Sequence, residues 1–105
     1  MKTMRYEYKR KALGKIWGFY RNVAKKYKHT YDFSDMERNI REAVLNGYSI
    51  EKRLFRLKPT LSRWQEQGYH MAHSGKWYYA YTIDDDTITI QDACHAQNMH
   101  EETSI

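Results

Sequence analysis

The chain has 105 residues, which allows one domain with one modest core. Lys and Arg outnumber Asp and Glu by 18 to 13, so the formal net charge is +5, and this balance favours a phosphate-bearing or acidic partner over a cationic one. A single cysteine excludes an intrachain disulfide and fits a reducing compartment. With no apolar leader and no apolar run long enough to span a bilayer, we predict a soluble cytoplasmic protein with no membrane partner.

The first part of the chain predicts a short strand and then a helix. Residues 3–8 are few and include aromatic side chains, which is compatible with an opening strand. Over residues 12–27 apolar side chains recur every three or four positions and cations take the other face, which predicts an amphipathic helix. Gly14 and Gly18 interrupt this pattern. Each either marks close approach by a neighbouring element or is a tolerated weakness of up to about 1 kcal/mol.

A second helix is predicted from a capping signal. Ser34 followed by Glu37 has the spacing of a capping box, in which the Ser hydroxyl accepts a backbone N–H and the Glu reaches back. The apolar face of this helix comprises Met36, Ile40, Ala43 and Val44. Gly47 is expected to end this helix. About six residues separate the two helices, which suits an antiparallel helical hairpin.

The second half of the chain predicts an antiparallel meander. Residues 48–64 mix apolar anchors with cations and have no clear assignment, although Pro59 argues against a central strand. A hairpin follows, with Ser74 and Gly75 as its two-residue linker. Three aspartates at residues 84–86 then reverse the chain into a last strand over residues 87–93.

The element order β-α-α-β-β-β indicates an α+β fold. Helices early and strands late predict an N-terminal strand followed by an α-helical hairpin that packs on one face of a twisted antiparallel sheet. The other face of the sheet is expected to stay open to a ligand. We expect one domain over residues 1–100 and a short frayed tail over residues 101–105.

The last predicted strand leads into a polar segment that contains Cys94, His95 and His100. Two histidines there are either general acid–base groups that titrate near neutral pH or solvated residues of a disordered tail. Cys94 has the character of a small buried hydrophobe. A zinc site that adds His70 or His73 lacks the paired short spacings of such sites, and these two residues would point to opposite faces of a strand.

Aromatic side chains crowd the strand that begins near residue 77. Alternation sends Trp77, Tyr79 and Tyr81 to the core side, and it sends Tyr78 to the other side with Lys76. Exposed aromatic rings on sheets commonly stack nucleobases. Tyr78 is therefore the candidate for contact with RNA.

The ending "WYYAYTIDDDTITIQDACH", together with the size and element order, resembles the RelE/ParE superfamily of bacterial toxins. The similarity is strongest to the branch of ribosome-dependent mRNA endonucleases. The corresponding positions are Lys76, Tyr78, Tyr79 and Ala80 on the first strand, Asp84 to Asp86 in the turn, and Ala93, Cys94 and His95 at the exit. The resemblance covers most of the chain as a pattern.

The resemblance implies an endonuclease that needs no metal or other cofactor and cuts mRNA by attack of the ribose 2′-hydroxyl on the adjacent phosphate. It implies that Lys76 stabilises the phosphate, and that His95 and His100 act as general acid or base, without deciding which does which. The stretch that relatives use for contact with RNA or the ribosome holds Lys52, Arg53, Arg56 and Lys58. The implied partners are the ribosome, its mRNA and a cognate antitoxin, with which the otherwise monomeric toxin forms a heteromer.

Two departures keep other functions open. Relatives with strong activity usually carry an Arg near these positions, whereas this chain has Lys76 and no Arg after residue 63. Sister members of the superfamily inhibit DNA gyrase without catalysis, so a gyrase-inhibiting toxin or an inactive binding protein is the alternative. A third possibility is an unrelated single-stranded nucleic-acid binder that uses Tyr78 and the basic stretch.

Overall fold

The computed structural model describes the backbone of residues 5–50 and 59–103 and the side chains of residues 5–50 and 59–99. The elements in chain order are β1 (Arg5–Tyr8), α1 (Arg10–Lys26), α2 (Phe33–Gly47), α3 (Ser62–Glu66), β2 (His70–Ser74), β3 (Trp77–Asp84), β4 (Thr87–His95) and α4 (Ala96–Thr103). No helix in these described ranges is both long enough and apolar enough to cross a membrane.

The four strands form one sheet in the order β1-β4-β3-β2. The last three strands pair antiparallel, as predicted, whereas β1 pairs parallel with β4. Parallel neighbours need a long crossover, which the helical hairpin and the next two strands provide here. The predicted α+β class and the β-α-α start are confirmed, and the wholly antiparallel sheet is corrected to a mixed one.

The helical hairpin covers one face of the sheet and forms the larger core with it. Ile16 from α1, Ile40 from α2 and Tyr79 from β3 are almost fully excluded from solvent. The Tyr79 hydroxyl donates to the carbonyl of Ala43, which fastens α2 to β3. The predicted inward face of Trp77, Tyr79 and Tyr81 is confirmed, because all three are buried in this cluster.

The second face of the sheet, expected to be open to a ligand, is partly covered. The short helix α3 lies against it, and Leu61 and Trp64 form a smaller core there with Met71, Ala80 and Cys94. The mixed composition of residues 48–64 concealed this helix. Leu61, just before α3, and Trp64 within it pack on a part of the sheet that alternation alone predicts to be exposed.

One buried carboxylate ties α1, α3 and β4 together. Asp92 is only 1% exposed, and its Oδ2 accepts hydrogen bonds from Trp64 Nε1 at 2.9 Å and from Arg63 Nε at 3.3 Å. Lys11 Nζ approaches the same oxygen to 3.8 Å, and the amide of Ala93 donates to Oδ1. A buried carboxylate persists only when it is paired and hydrogen-bonded, and Asp92 is both.

A β-bulge in β4 changes which residues face the helices. The register passes from Ile90 opposite Tyr81 to Asp92 opposite Ala80, so Gln91 has no partner in the ladder. One extra residue reverses the alternation beyond that point. Ile90 lies in the helix-side core. Beyond the bulge, Asp92 and Cys94 turn to the α3 side, whereas Ala93 and His95 turn to the helical hairpin.

The predicted capping box of α2 is displaced by two residues. Asp32 is the N-cap and accepts from the amide of Asp35, whose carboxylate accepts in turn from the amide of Asp32. The expectation of Ser34 and Glu37 in these roles was therefore wrong. Asp serves as well as Ser at an N-cap, and an acidic residue of the right spacing was present two positions earlier.

The glycines also differ from expectation. A Cβ on Gly14 or Gly18 would meet nothing within 4 Å, so close approach does not explain either residue. Gly47 ends α2, but for a packing reason, since a Cβ there would clash with the hydroxyl of Tyr8 and lie 2.9 Å from Ile90 Cδ1. Its missing side chain is what lets β1 and α2 meet.

The C-terminal segment is helical as far as residue 103, where the described backbone ends. Helix α4 runs from Ala96 to Thr103 and crosses the expected boundary between residues 100 and 101. Met99 packs against the α3-side core, which anchors this helix to the domain. Its first residues lie beside the β2–β3 turn, where the amide of Ala96 donates to the carbonyl of Lys76 at 2.7 Å.

Candidate functional site

A cleft of about 500 Å³ opens between the helical hairpin and the β2–β3 turn. Its floor and one side are aromatic, from Phe19 and Tyr20 on α1 and Trp77 on β3. Trp77 Nε1 donates to the Tyr20 hydroxyl at 3.0 Å, which links the sheet to the helix at the base of the cleft. We refer to this space as the hairpin cleft.

Lys76 lies at the mouth of the hairpin cleft. The two-residue turn between β2 and β3 consists of Gly75 and Lys76, not of Ser74 and Gly75 as predicted. Gly75 has a φ of +63°, which suits the glycine at the first central position of a type II′ turn. Lys76 is therefore a turn residue rather than a strand residue, and its exposed side chain is not committed to either face of the sheet.

His95 forms the adjoining wall of the cleft. Its ring stacks on Phe19 with centroids 4.0 Å apart and an interplanar angle of 11°, and it meets Trp77 edge-on at 5.3 Å. Trp77 is also its register partner across the β3–β4 ladder. These contacts hold the imidazole in one orientation, and the bulge at Gln91 is what turns it toward the helices.

The hydrogen bonds of His95 determine its tautomer. The backbone amide of Gln97 donates to Nδ1 at 3.1 Å, and because an amide can only donate, Nδ1 must be the unprotonated nitrogen. Burial, and secondarily the charge of Lys76, lower the pKa of His95. At neutral pH the ring is therefore neutral and carries its proton on Nε2. It caps α4 through Nδ1 and retains Nε2–H as a hydrogen-bond donor.

The opposite wall of the cleft belongs to α2. Asn39, Glu42 and Asn46 lie one turn apart and all line the space. Burial raises the pKa of the Tyr20 hydroxyl, the hydrogen bond with Trp77 partly opposes this rise, and the charges of Tyr31 and Glu42 add smaller effects in the upward direction. Within the described residues, the side chains of Glu42 and Lys76 have no hydrogen bond or ion pair.

Two of the residues predicted for catalysis thus meet at one site. Lys76 and His95 line the same cleft although 19 positions separate them in the sequence. Tyr78 does not join them, because it packs against the α3-side core with its ring 4.7 Å from His73. The prediction that Tyr78 contacts RNA therefore stays a prediction, separate from this cleft.

Five other predicted site residues lie outside what the structure describes. The basic stretch of Lys52, Arg53, Arg56 and Lys58 falls in residues 51–58, outside the described ranges. His100 belongs to the backbone of α4, but its side chain also lies outside the described set. These predictions therefore stay as sequence-based expectations.

Cys94 is 5% exposed and belongs to the α3-side core, as its small apolar character indicated. Burial raises the pKa of its thiol, which disfavours the reactive thiolate. Among residues 5–50 and 59–99, no three His, Cys, Asp or Glu side chains come together in an arrangement that could hold a metal ion. The zinc alternative has no support from this part of the chain.

Sequence reasoning missed the α2 wall of the cleft. A signal was present, since Asn39, Glu42 and Asn46 have the spacing of one helix face and that face borders the buried stripe of Ile40 and Ala43. Polar residues beside a buried stripe ordinarily face water, however. Only the position of the β2–β3 turn opposite them shows that they line a cleft.

Comparison with protein-family models, with curated proteins and with solved structures gives no match. Function must therefore be inferred from the residues of the cleft themselves.

Proposed function

We propose that this protein is a metal-independent endoribonuclease, that it cleaves mRNA on the ribosome, and that it is the toxin of a toxin–antitoxin pair. The observation that carries the proposal is that Lys76, predicted to stabilise the phosphate, and His95, predicted to act as a general acid or base, line one cleft. The hydrogen bond from the Ala96 amide to the Lys76 carbonyl holds the β2–β3 turn against the end of β4.

The chemistry in this proposal is in-line transfer of a phosphoryl group within RNA. The ribose 2′-oxygen forms a bond to phosphorus and the bond to the 5′-oxygen breaks, which leaves a 2′,3′-cyclic phosphate and a 5′-hydroxyl. Negative charge develops on the non-bridging oxygens, where fixed donors lower the barrier most. The Lys76 ammonium and the His95 Nε2–H are the two donors that the cleft provides.

Two proton transfers complete the reaction. A base must take the proton of the 2′-hydroxyl, and an acid must protonate the leaving 5′-oxygen. Because Nδ1 of His95 accepts from the Gln97 amide, His95 acts in this scheme as a hydrogen-bond donor to the phosphate through Nε2–H and not as the base. We assign the base to His100 on the sequence pattern alone, and water supplies the proton that the leaving 5′-oxygen takes.

The charge of α1 supports a polyanionic partner. This helix carries six cations and no carboxylate, namely Arg10, Lys11, Lys15, Arg21, Lys25 and Lys26. All six are exposed. Such a surface attracts RNA through release of counterions, and the same surface is available to an acidic segment of an antitoxin.

The test compares induced expression of wild type, Lys76→Ala and His95→Asn in bacteria, with Arg38→Ala as a control for loss of one cation, because Arg38 pairs with Asp35 on α2 and lies outside both the cleft and the α1 cations. Asn keeps an acceptor for capping α4 but removes the imidazole. Wild type and control should arrest growth and produce new 5′-hydroxyl ends within translated codons. Lys76→Ala should reduce cleavage by about a hundredfold or more, the loss typical for one oxyanion donor. His100→Ala is tested in parallel.

Growth arrest without new RNA ends would overturn the nuclease proposal and would direct attention to gyrase, which a DNA supercoiling assay reports. Undiminished cleavage by Lys76→Ala, with the variant folded by circular dichroism, would show that the hairpin cleft is not the active site.

A further inference from the structure

The hairpin cleft is chemically polarised. Lys76 and His95 present an ammonium and an imidazole N–H on one side, whereas Glu42 presents a carboxylate on the other. Asn39 also lines the acceptor side; its Nδ2 donates to the Tyr31 hydroxyl at 2.6 Å, and its Oδ1 accepts no hydrogen bond from the described residues. A complementary ligand is anionic at one end and carries N–H donors at the other.

Aromatic rings also line the cleft. The Phe19 and His95 rings stack on each other, so one face of each ring is already covered. The Trp77 ring is buried. Tyr20 is half-buried and lines the cleft between α2 and the turn. A planar ring system can stack there, as nucleobases do on aromatic side chains. The volume of about 500 Å³ is suitable for one nucleotide.

We propose that the cleft binds a guanine nucleotide of the substrate, with Glu42 accepting hydrogen bonds from N1–H and the N2 amino group of guanine while Lys76 and His95 hold the phosphate. This proposal rests on the proposed RNA cleavage and names the base that the site selects.

Guanine is favoured by the arrangement of its donors. Its Watson–Crick edge places two N–H donors side by side, which one carboxylate accepts together in the way it accepts a bidentate guanidinium. Adenine and cytosine each place a ring-nitrogen acceptor beside their amino group, and uracil places carbonyls on both sides of its single N–H. Those acceptors would face a carboxylate oxygen, so Glu42 both attracts guanine and repels the other bases.

The experiment measures binding of the four nucleoside 3′-monophosphates to the purified full chain by calorimetry or by NMR titration. These probes place the phosphate on the ribose carbon next to the 2′-hydroxyl that would attack. The variants are Glu42→Gln, Lys76→Ala and, as a matched control, Glu37→Gln, which lies on the same helix but pairs with Arg41 outside the cleft.

Guanosine 3′-monophosphate should bind about tenfold to a hundredfold more tightly than the other three, the range expected for one bidentate base contact. Glu42→Gln should abolish this preference without abolishing binding, whereas Lys76→Ala should weaken all four nucleotides together. Glu37→Gln should behave as wild type.

Equal affinity for the four nucleotides, or no binding of any, would overturn the inference. Mapping of RNA ends from the expression experiment separates it from the proposed function. Cleavage with no enrichment of guanosine at the cut leaves the nuclease proposal standing and refutes base selection. Selective binding of the guanine nucleotide without RNA cleavage refutes the nuclease proposal and leaves a guanine-nucleotide site.

Discussion

The charged side chains on the two faces of the sheet differ in whether the protein itself compensates them. On the α3 side, the carboxylate of Asp92 is buried and meets Trp64, Arg63 and Lys11. On the hairpin side, Glu42 and Lys76 line an open cleft and have no hydrogen bond or ion pair among the described side chains. Asp92 on β4 and Lys76 in the turn before β3 nevertheless belong to the same pair of strands.

This difference separates a structural group from a functional one. A carboxylate removed from water must be compensated by the protein, so the partners of Asp92 are a condition of folding. Charges at an open cleft are compensated by water until a ligand arrives, so they cost little and remain available for recognition. Stability should therefore depend on Asp92, whereas ligand binding should depend on Glu42 and Lys76.

The largest expected effect on stability is at Asp92. Asp92→Ala removes the buried carboxylate oxygen that accepts from Trp64 Nε1 and Arg63 Nε, and we expect the free energy of unfolding to fall by about 3–5 kcal/mol in chemical denaturation. Asp92→Asn keeps an oxygen for Trp64 and should cost less. The exposed Asp84→Ala is the control, and an equal loss in both Ala variants would contradict the structural role of Asp92.

A pair of glycine substitutions should change stability in opposite directions. Gly47→Ala forces a methyl group against Tyr8, whose hydroxyl is held by a 2.7 Å bond to the Val44 carbonyl, and should cost about 1–3 kcal/mol. Gly18→Ala meets open space and should stabilise α1 by up to about 1 kcal/mol. Thermal unfolding of both variants checks the signs, and a stabilised Gly47→Ala protein would refute the tight contact.

His95 should make stability depend on pH. Its pKa is lowered from 6.5 by burial and then by Lys76, so the unfolded chain binds the proton more readily than the folded protein does. The His95 contribution is complete above pH 6.5 and is lost as the pH falls through the folded pKa. The loss should be about 1 kcal/mol, the size of one helix cap. Denaturation curves of wild type and His95→Asn should diverge at low pH, and parallel curves would contradict this.

The smallest expected effect on stability is at the cleft. Glu42→Gln and Lys76→Ala should each change the free energy of unfolding by less than about 0.5 kcal/mol, because neither side chain has a partner to lose among the described residues. Both variants should nevertheless lose binding as described above. A destabilisation comparable to that of Asp92→Ala would mean that these charges are structural after all.

Local patterns in the sequence were sufficient for most of the elements. The three-and-four periodicity predicted α1 and α2, and alternation predicted the buried face of Trp77, Tyr79 and Tyr81. These predictions succeed because period and burial are set by residues close together in the chain. The resemblance to a toxin family, rather than these patterns, selected Lys76 and His95, which the fold brings to one cleft.

The bulge in β4 and the cleft depend on residues far apart in sequence, and only the tertiary structure shows them. The bulge at Gln91 arises from the pairing of β4 with β3, and it turns His95 toward the hairpin and Asp92 toward α3. Glu42 lies on an ordinary polar helix face until the β2–β3 turn is placed opposite it. Alternation counts residues along one strand and cannot register an extra residue that only the partner strand defines. For the same reason, the cleft could not be read from any single segment of the chain.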